Sequence, residues 1–214
     1  MSGQYNRKDH LYKQAKEQGY RSRAAYKLME LDKKHRLLRQ GMRVLDLGCY
    51  PGGWLQIALE KVGPKGIVIG VDLREVEPVK EKGAAAVLIK GDILAEKTQH
   101  EIMEHSGGKV NLLLSDLSPS LTGIRFRDAV KSAELVECAL NLAAVLLLPG
   151  GSLVTKIFPG PECEELAIRF RKAFRQFARP SLDSSRKTSS EMYFVGRDYV
   201  GLELEREPLD EKSQ

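Results

Sequence analysis

Five short apolar runs, each closing at or near a charged residue, constrain this chain more than any other feature. They occupy residues 43–47 (carrying Asp46), 66–71 (before Asp72), 86–90 (before Asp92), 110–115 (before Asp116) and 152–158 (carrying Lys156). Each is too short for a helix, and stretches with helical apolar period lie between them, at 53–62, 95–104 and 127–147, and after the last, at 162–174. Strands that alternate with helices build a mostly parallel sheet covered on both faces. Such sheets bind ligands beyond the carboxyl ends of their strands. The charged strand ends are therefore the candidate functional positions.

The flanks add detail. A helix is predicted over 22–33, with Ser22 as N-cap and Tyr26, Met29 and Leu31 on its apolar face. Pro149-Gly150-Gly151 stops the long helix ahead of the fifth strand. A short strand is predicted at 177–179, a polar loop at 183–190 and a last strand at 192–196. The chain, at 214 residues, suits one domain. We expect that domain over 1–200, with a basic helical arm at about 1–42 and an acidic, frayed tail at 201–214.

Charge is unevenly spread. Residues 1–43 hold twelve Lys or Arg against four Asp or Glu, a local +8 within a chain of net +5. A basic arm on a near-neutral body points to a polyanion such as nucleic acid, although a solvated charged helix explains the same run. Cys49, Cys138 and Cys163 have neither the number nor the spacing of a disulfide framework or a zinc site. The longest apolar stretch, 139–148, contains Asn141 and falls short of the roughly 20 residues that span a bilayer. Residues 1–10 show no apolar signal-peptide core. A soluble, cytoplasmic monomer without a metal is the expectation.

The strongest local signal is Asp46-Leu47-Gly48-Cys49-Tyr50-Pro51-Gly52-Gly53-Trp54 at a strand-to-helix turn. Its glycines allow close backbone approach to a ligand. Their spacing is neither the dinucleotide fingerprint nor a Walker A loop, which disfavours a nicotinamide-dependent oxidoreductase. Acids with no phosphate cradle suit a cationic, nucleoside-bearing cofactor, and Asp72 stands where an acid holds a ribose diol. An ordinary tight turn beside a core aspartate is the plain alternative.

This segment resembles motif I of the FtsJ family of RNA ribose 2′-O-methyltransferases. Further matches stand in the family's order: Arg21-Ser-Arg-Ala-Ala-Tyr-Lys-Leu, Ser115-Asp-Leu-Ser-Pro, Pro149-Gly-Gly-Ser-Leu-Val-Thr-Lys-Ile-Phe, and Asp183-Ser-Ser-Arg through to Glu191. The similarity spans roughly residues 9–197. It implies a Rossmann-like class I methyltransferase fold with a mostly parallel seven-stranded sheet and S-adenosylmethionine as cofactor. The family's catalytic Lys-Asp-Lys-Glu set falls on Lys27, Asp116, Lys156 and Glu191. The cofactor set implied is Asp46, Gly48, Gly52, Gly53, Trp54, Asp72, Asp92 and Asp116.

Read singly, Lys27, Asp116 and Glu191 have bland explanations, whereas a lysine inside an apolar strand is costly to bury unpaired. The resemblance makes Lys156 the general base. Desolvation and Lys27 favour its neutral form, while Asp116 and Glu191 favour the ammonium; whether Lys156 takes the proton or only orients the hydroxyl stays open at this point. RNA contacts are expected from Arg21, Arg23, Lys33, Lys34, Arg36 and Arg39, with a second basic set at Arg169, Arg171, Lys172, Arg175, Arg179, Arg186 and Lys187. The partner implied is ribosomal RNA or the large ribosomal subunit, with a uridine ribose of 23S RNA as target. Transfer RNA is the alternative, as is a non-catalytic RNA-binding or ribosome-assembly protein on the same fold. No Asn/Asp-Pro-Pro-aromatic segment for adenine amino methylation and no Pro-Cys pair for cytosine C5 methylation is present.

Overall fold

A computed structural model describes residues 7–81, 83–184 and 191–201. In chain order the elements are α1 (Arg7–Glu17), α2 (Ala24–His35), β1 (Arg43–Leu47), α3 (Gly53–Val62), β2 (Ile67–Asp72), β3 (Lys80–Glu81), β4 (Ala84–Ala85) and β5 (Val87–Lys90), followed by α4 (Glu96–Ser106), β6 (Val110–Ser115), α5 (Arg125–Leu146), β7 (Leu147–Ile157), α6 (Glu162–Ala173), β8 (Phe174–Ala178) and β9 (Met192–Tyr199). Seven strands form one sheet in the order β5-β2-β1-β6-β7-β9-β8. The first five run parallel, and β9 lies antiparallel between β7 and β8. β3 and β4 make a separate two-residue ladder.

Successive strand residues face opposite sides, and this alternation sorts the core into two layers. Leu45, Leu47, Ile69, Val71, Leu113 and Leu153 pack with α5 and α6. Val44, Val68, Leu112, Leu114, Val154, Tyr193 and Val195 pack with α2 and α3. The same parity puts Asp46, Asp116, Lys156, Tyr193 and Glu191 on the α2/α3 side of the sheet. Strand order reverses between β1 and β6, the switch point where a crevice opens.

Several sequence expectations move. α2 begins at Ala24, after Arg23, and Ser22 makes no cap; its buried hydroxyl has no hydrogen-bond partner among the described residues. The buried face of α2 is Ala25, Lys27, Leu28 and Leu31, one step round from the expected stripe, because the arm lies over the sheet. α5 runs straight into β7 at Leu147. Gly150, at φ 76°, and a register shift between Val110 and Leu112 absorb Pro149-Gly150-Gly151 as a bulge inside β7. The short strand expected at 177–179 is the longer β8. Most of the expected acidic tail lies outside the described residues. Among them, no helix is long and apolar enough to cross a membrane.

Candidate active site

Two sequence motifs meet first, at the joint between the N-terminal arm and the loop after β1. The Arg21 guanidinium donates to the carbonyls of Pro51 (3.3 Å), Glu77 (2.7 Å) and Pro78 (2.6 Å). Gln56 accepts the Arg21 backbone N–H at 2.8 Å and donates to the Gly19 carbonyl at 2.9 Å. The indole N–H of Trp54 donates to the Ala24 carbonyl at 2.7 Å, and a Cβ on Gly53 would collide with Ser22. The two motifs are complementary halves of one contact. Arg21, expected on RNA, is committed to three carbonyls here, and Gly52, Gly53 and Trp54 serve this joint rather than line the cavity beyond.

That cavity, about 560 Å³, opens at the carboxyl ends of β1, β2, β5 and β6. Gly48, Asp72, Asp92 and Asp116 line it, joined by Glu134, with Arg74 as the one cation among the described residues, and Leu73, Ile93, Leu117 and Leu135 supply apolar wall. Gly48 has φ 73°, and a Cβ there would stand 2.6 Å from Leu117 Cδ2, so only glycine fits. The Asp72 carboxylate accepts the N–H groups of Tyr50 (3.0 Å) and Arg74 (2.8 Å), and Asp92 accepts that of Leu94 (3.0 Å). Each carboxylate keeps acceptor capacity toward the cavity. Asp46 is buried in β1, and neither of its oxygens has a hydrogen-bond partner among the described residues. Burial, then the charges of Asp116 and Asp72, pushes its pKa well above the ordinary carboxylate range.

Beside the cavity, four charged groups pair. Lys156 Nζ donates to the Asp116 carbonyl at 2.8 Å and lies 3.2 Å from Asp116 Oδ1. Lys27 Nζ sits 2.5 Å from Glu191 Oε1. Both lysines are nearly buried, at 5% and 7% exposure, which demands such partners. Tyr193, directly across from Lys156 in the β7–β9 register, links the pairs. Its hydroxyl donates to Asp116 Oδ1 at 2.8 Å, and its ring lies 5.8 Å from Lys27 Nζ and 6.0 Å from Trp54. Burial, then the Asp116 and Glu191 carboxylates, raises the Tyr193 pKa well above 10, so its proton stays on. The sequence reading missed Tyr193. It stands two residues after Glu191 on the same strand face, but the register that sets it against Lys156 exists only in the folded sheet.

The basic residues divide. Lys33 and Arg36 are exposed and Arg23 is partly buried. Lys34 is held by Glu30 and the Ser181 carbonyl, each at 2.7 Å. In the second set, Arg169 pairs with Glu137, and Arg171 and Arg179 pair with Glu164 at 3.0 and 2.7 Å. Arg175 Nε is 3.7 Å from Asp198. Their charge is largely met within the protein, which weakens the expected second track. Arg186 and Lys187 lie outside the described residues.

Residues 20–199 match the model of the FtsJ-like methyltransferase family. The chain belongs to that family. It is 46% identical over 191 residues to a ribosomal RNA large subunit methyltransferase E of Methanobrevibacter smithii, covering 89% of this chain and 90% of the relative. It is 39% identical to the protein of the same description from Acidithiobacillus ferrooxidans, covering 93% and 89%. Among solved structures it resembles a Plasmodium falciparum protein described as a ribosomal RNA methyltransferase, at TM-score 0.75 and 28% identity over 85% of this chain and 100% of the other. Membership makes this chain an RNA methyltransferase, and the seven-stranded, mostly parallel sheet is the fold expected of it.

Proposed function

We propose that this protein methylates a ribose 2′-hydroxyl of RNA with S-adenosylmethionine as donor, and that its target is a uridine of large-subunit (23S) ribosomal RNA in the cytoplasm. The observation that carries the reading is the Lys156–Asp116 pair, beside an acid-lined cavity at the switch point of the sheet. The Methanobrevibacter smithii and Acidithiobacillus ferrooxidans relatives are described as large-subunit ribosomal RNA methyltransferases, which supports the substrate.

The cavity's chemistry fits the donor. Among the described residues, four acids against one cation suit a ligand bearing a sulfonium and an ammonium, and the apolar wall suits an adenine ring. In this reading Asp72 holds the ribose diol, Asp92 stands near the adenine, Asp116 lies close to the methionine end, and Asp46 supports the loop from below. When bound, the cofactor supplies an electrophilic sulfonium methyl whose C–S bond breaks as the C–O bond forms.

The protein's own task is alignment and proton removal. Two contacts to Asp116 fix Lys156 Nζ. In its neutral form it accepts the hydroxyl proton, and Asp116 stabilises the ammonium formed. Tyr193 orients Asp116, and the Lys27–Glu191 pair holds α2 against the same face. Such positioning supplies several kcal/mol of rate enhancement. The test is methyl transfer from labelled S-adenosylmethionine to large ribosomal subunits, free ribosomal RNA and transfer RNA, with wild type and Lys156→Ala. Label in large-subunit RNA that disappears in the variant supports the reading. Label in transfer RNA alone, or cofactor binding without transfer, contradicts it.

A further inference from the structure

A second cavity, about 340 Å³, lies at the opposite end of the sheet, where the parallel strands begin. Three arginines line it: Arg36 after α2, Arg39 before β1, and Arg197 in β9. Asn111 of β6 and the Gly150-Gly151 bulge of β7 complete the wall. Its one acid among the described residues is Asp198, 3.7 Å from Arg175. The family motifs and the cofactor cavity leave this place unused.

Two features mark it as more than a dent between elements. Arg36 and Asp198 are the only non-glycine residues with positive φ among the described residues, at 51° and 61°, and both line this cavity. A left-handed residue closing a helix is ordinarily Gly or Asn. Arginine there carries backbone strain that its side chain must justify. Arg197, in turn, is held in place: it donates to the His35 carbonyl at 2.8 Å and to Gln176, so its guanidinium is pre-set while those of Arg36 and Arg39 are exposed. Three guanidiniums outweigh Asp198 and the partial negative charge of the α2 C-terminus.

Two elements give the same distance from this cavity to the active site. Lys27 and Arg36 are nine positions apart along α2, and Lys156 and Ser152 are four apart along β7; at 1.5 and 3.3 Å per residue each separation is roughly 13 Å.

We propose that the Arg36–Arg39–Arg197 cavity binds a backbone phosphate of the substrate RNA, roughly 13 Å from the methylated ribose. The inference rests on the RNA reading above. Guanidinium is the group that matches a phosphodiester, by paired N–H donors. The site fixes the register of a strand that runs from the catalytic pair past α2, and it reads no bases.

The test uses the full chain with Arg36→Asn/Arg39→Gln, which leaves Arg197 and its structural contacts intact and keeps a residue tolerant of positive φ at 36. Methyl transfer to a large-subunit RNA fragment is measured across salt concentrations, beside a short oligonucleotide carrying a single nucleotide on either side of the target, too short to reach the cavity. The salt slope of RNA affinity is expected to fall by about one for the lost phosphate contact. The KM for the long RNA rises, whereas kcat, the KM for S-adenosylmethionine and activity on the short oligonucleotide stay at wild-type values. An unchanged slope and KM on the long RNA, with wild type active, overturns the cavity alone. An equal loss on the short oligonucleotide overturns the spacing. If wild type transfers no methyl group to any RNA, the reading beneath fails and the proposal falls with it.

Discussion

Replacing Glu30 by Gln isolates the contact that ties α2 to the chain ahead of β9. The Glu30 carboxylate accepts the N–H groups of Asp183 (2.9 Å) and Ser184 (3.1 Å), the Ser184 hydroxyl (2.9 Å) and the Lys34 ammonium (2.7 Å). Partial burial pushes its pKa up, but these four donors overcome that and hold it at about 2, from an ordinary 4.5. A depressed carboxylate contributes stability that is present above the unfolded pKa and lost as pH falls through the folded one. The shift corresponds to about 3 kcal/mol at neutral pH, an upper figure, with more than half gone by about pH 3. For a domain of this size each kcal/mol moves Tm by about 2–4 °C. The assay is thermal unfolding of wild type and Glu30→Gln by circular dichroism at pH 7, 5, 4 and 3. The variant should melt several degrees lower at pH 7 and 5, with the gap narrowing toward pH 3. Equal Tm at pH 7, or a gap independent of pH, refutes the reasoning.

Asp46 works in the other direction. Its folded pKa is raised, so its stability is full below about 3.8, the unfolded value, and is lost as pH rises above it. Asp46→Asn should therefore raise the Tm of the free protein at pH 7, less so at pH 4, while calorimetry shows weaker S-adenosylmethionine binding; a lower Tm at pH 7 counts against the buried-acid account. Tyr193→Phe keeps the ring against Trp54 and removes the donor to Asp116, worth about 0.5–1.5 kcal/mol. Steady-state kinetics should show kcat down by up to about tenfold with the cofactor KM unchanged, and an unaltered kcat would remove Tyr193 from the site. Gly53→Ala forces a Cβ against Ser22 and costs about 1–3 kcal/mol by overpacking. Trp54 is the single tryptophan, so a red-shifted emission reports the loosened joint, and unchanged emission and Tm would contradict it.

The strand-end charges were legible because apolar runs flanked by helical period admit few arrangements, and the folded sheet gathers Asp46, Asp72, Asp92 and Asp116 at one end. Pairing of Lys27 with Glu191 was not readable from spacing, since 164 positions separate them; the motif resemblance put both in one catalytic set, and only the fold shows that they pair. Arg21 looked like an RNA contact because exposed and carbonyl-bound arginines are identical in sequence. Ser22 looked like a cap because its true constraint, the missing side chain of Gly53, lies 31 residues away. Pro149-Gly150-Gly151 read as a break and became a bulge, because strand pairing with β6 tolerates a shift there. α1 escaped notice as a separate helix: Leu11 and Ala15 are too few apolar positions to mark a face. In each miss a tertiary partner decided what local chemistry left open.

The most direct test of the central claim is where on the nucleotide the methyl group lands. RNA labelled by the wild-type protein is hydrolysed in alkali, which requires a free 2′-hydroxyl to cleave the next linkage. The account predicts label in an alkali-resistant dinucleotide, absent with Lys156→Ala. Label released in mononucleotides places the methyl on a base and contradicts the account.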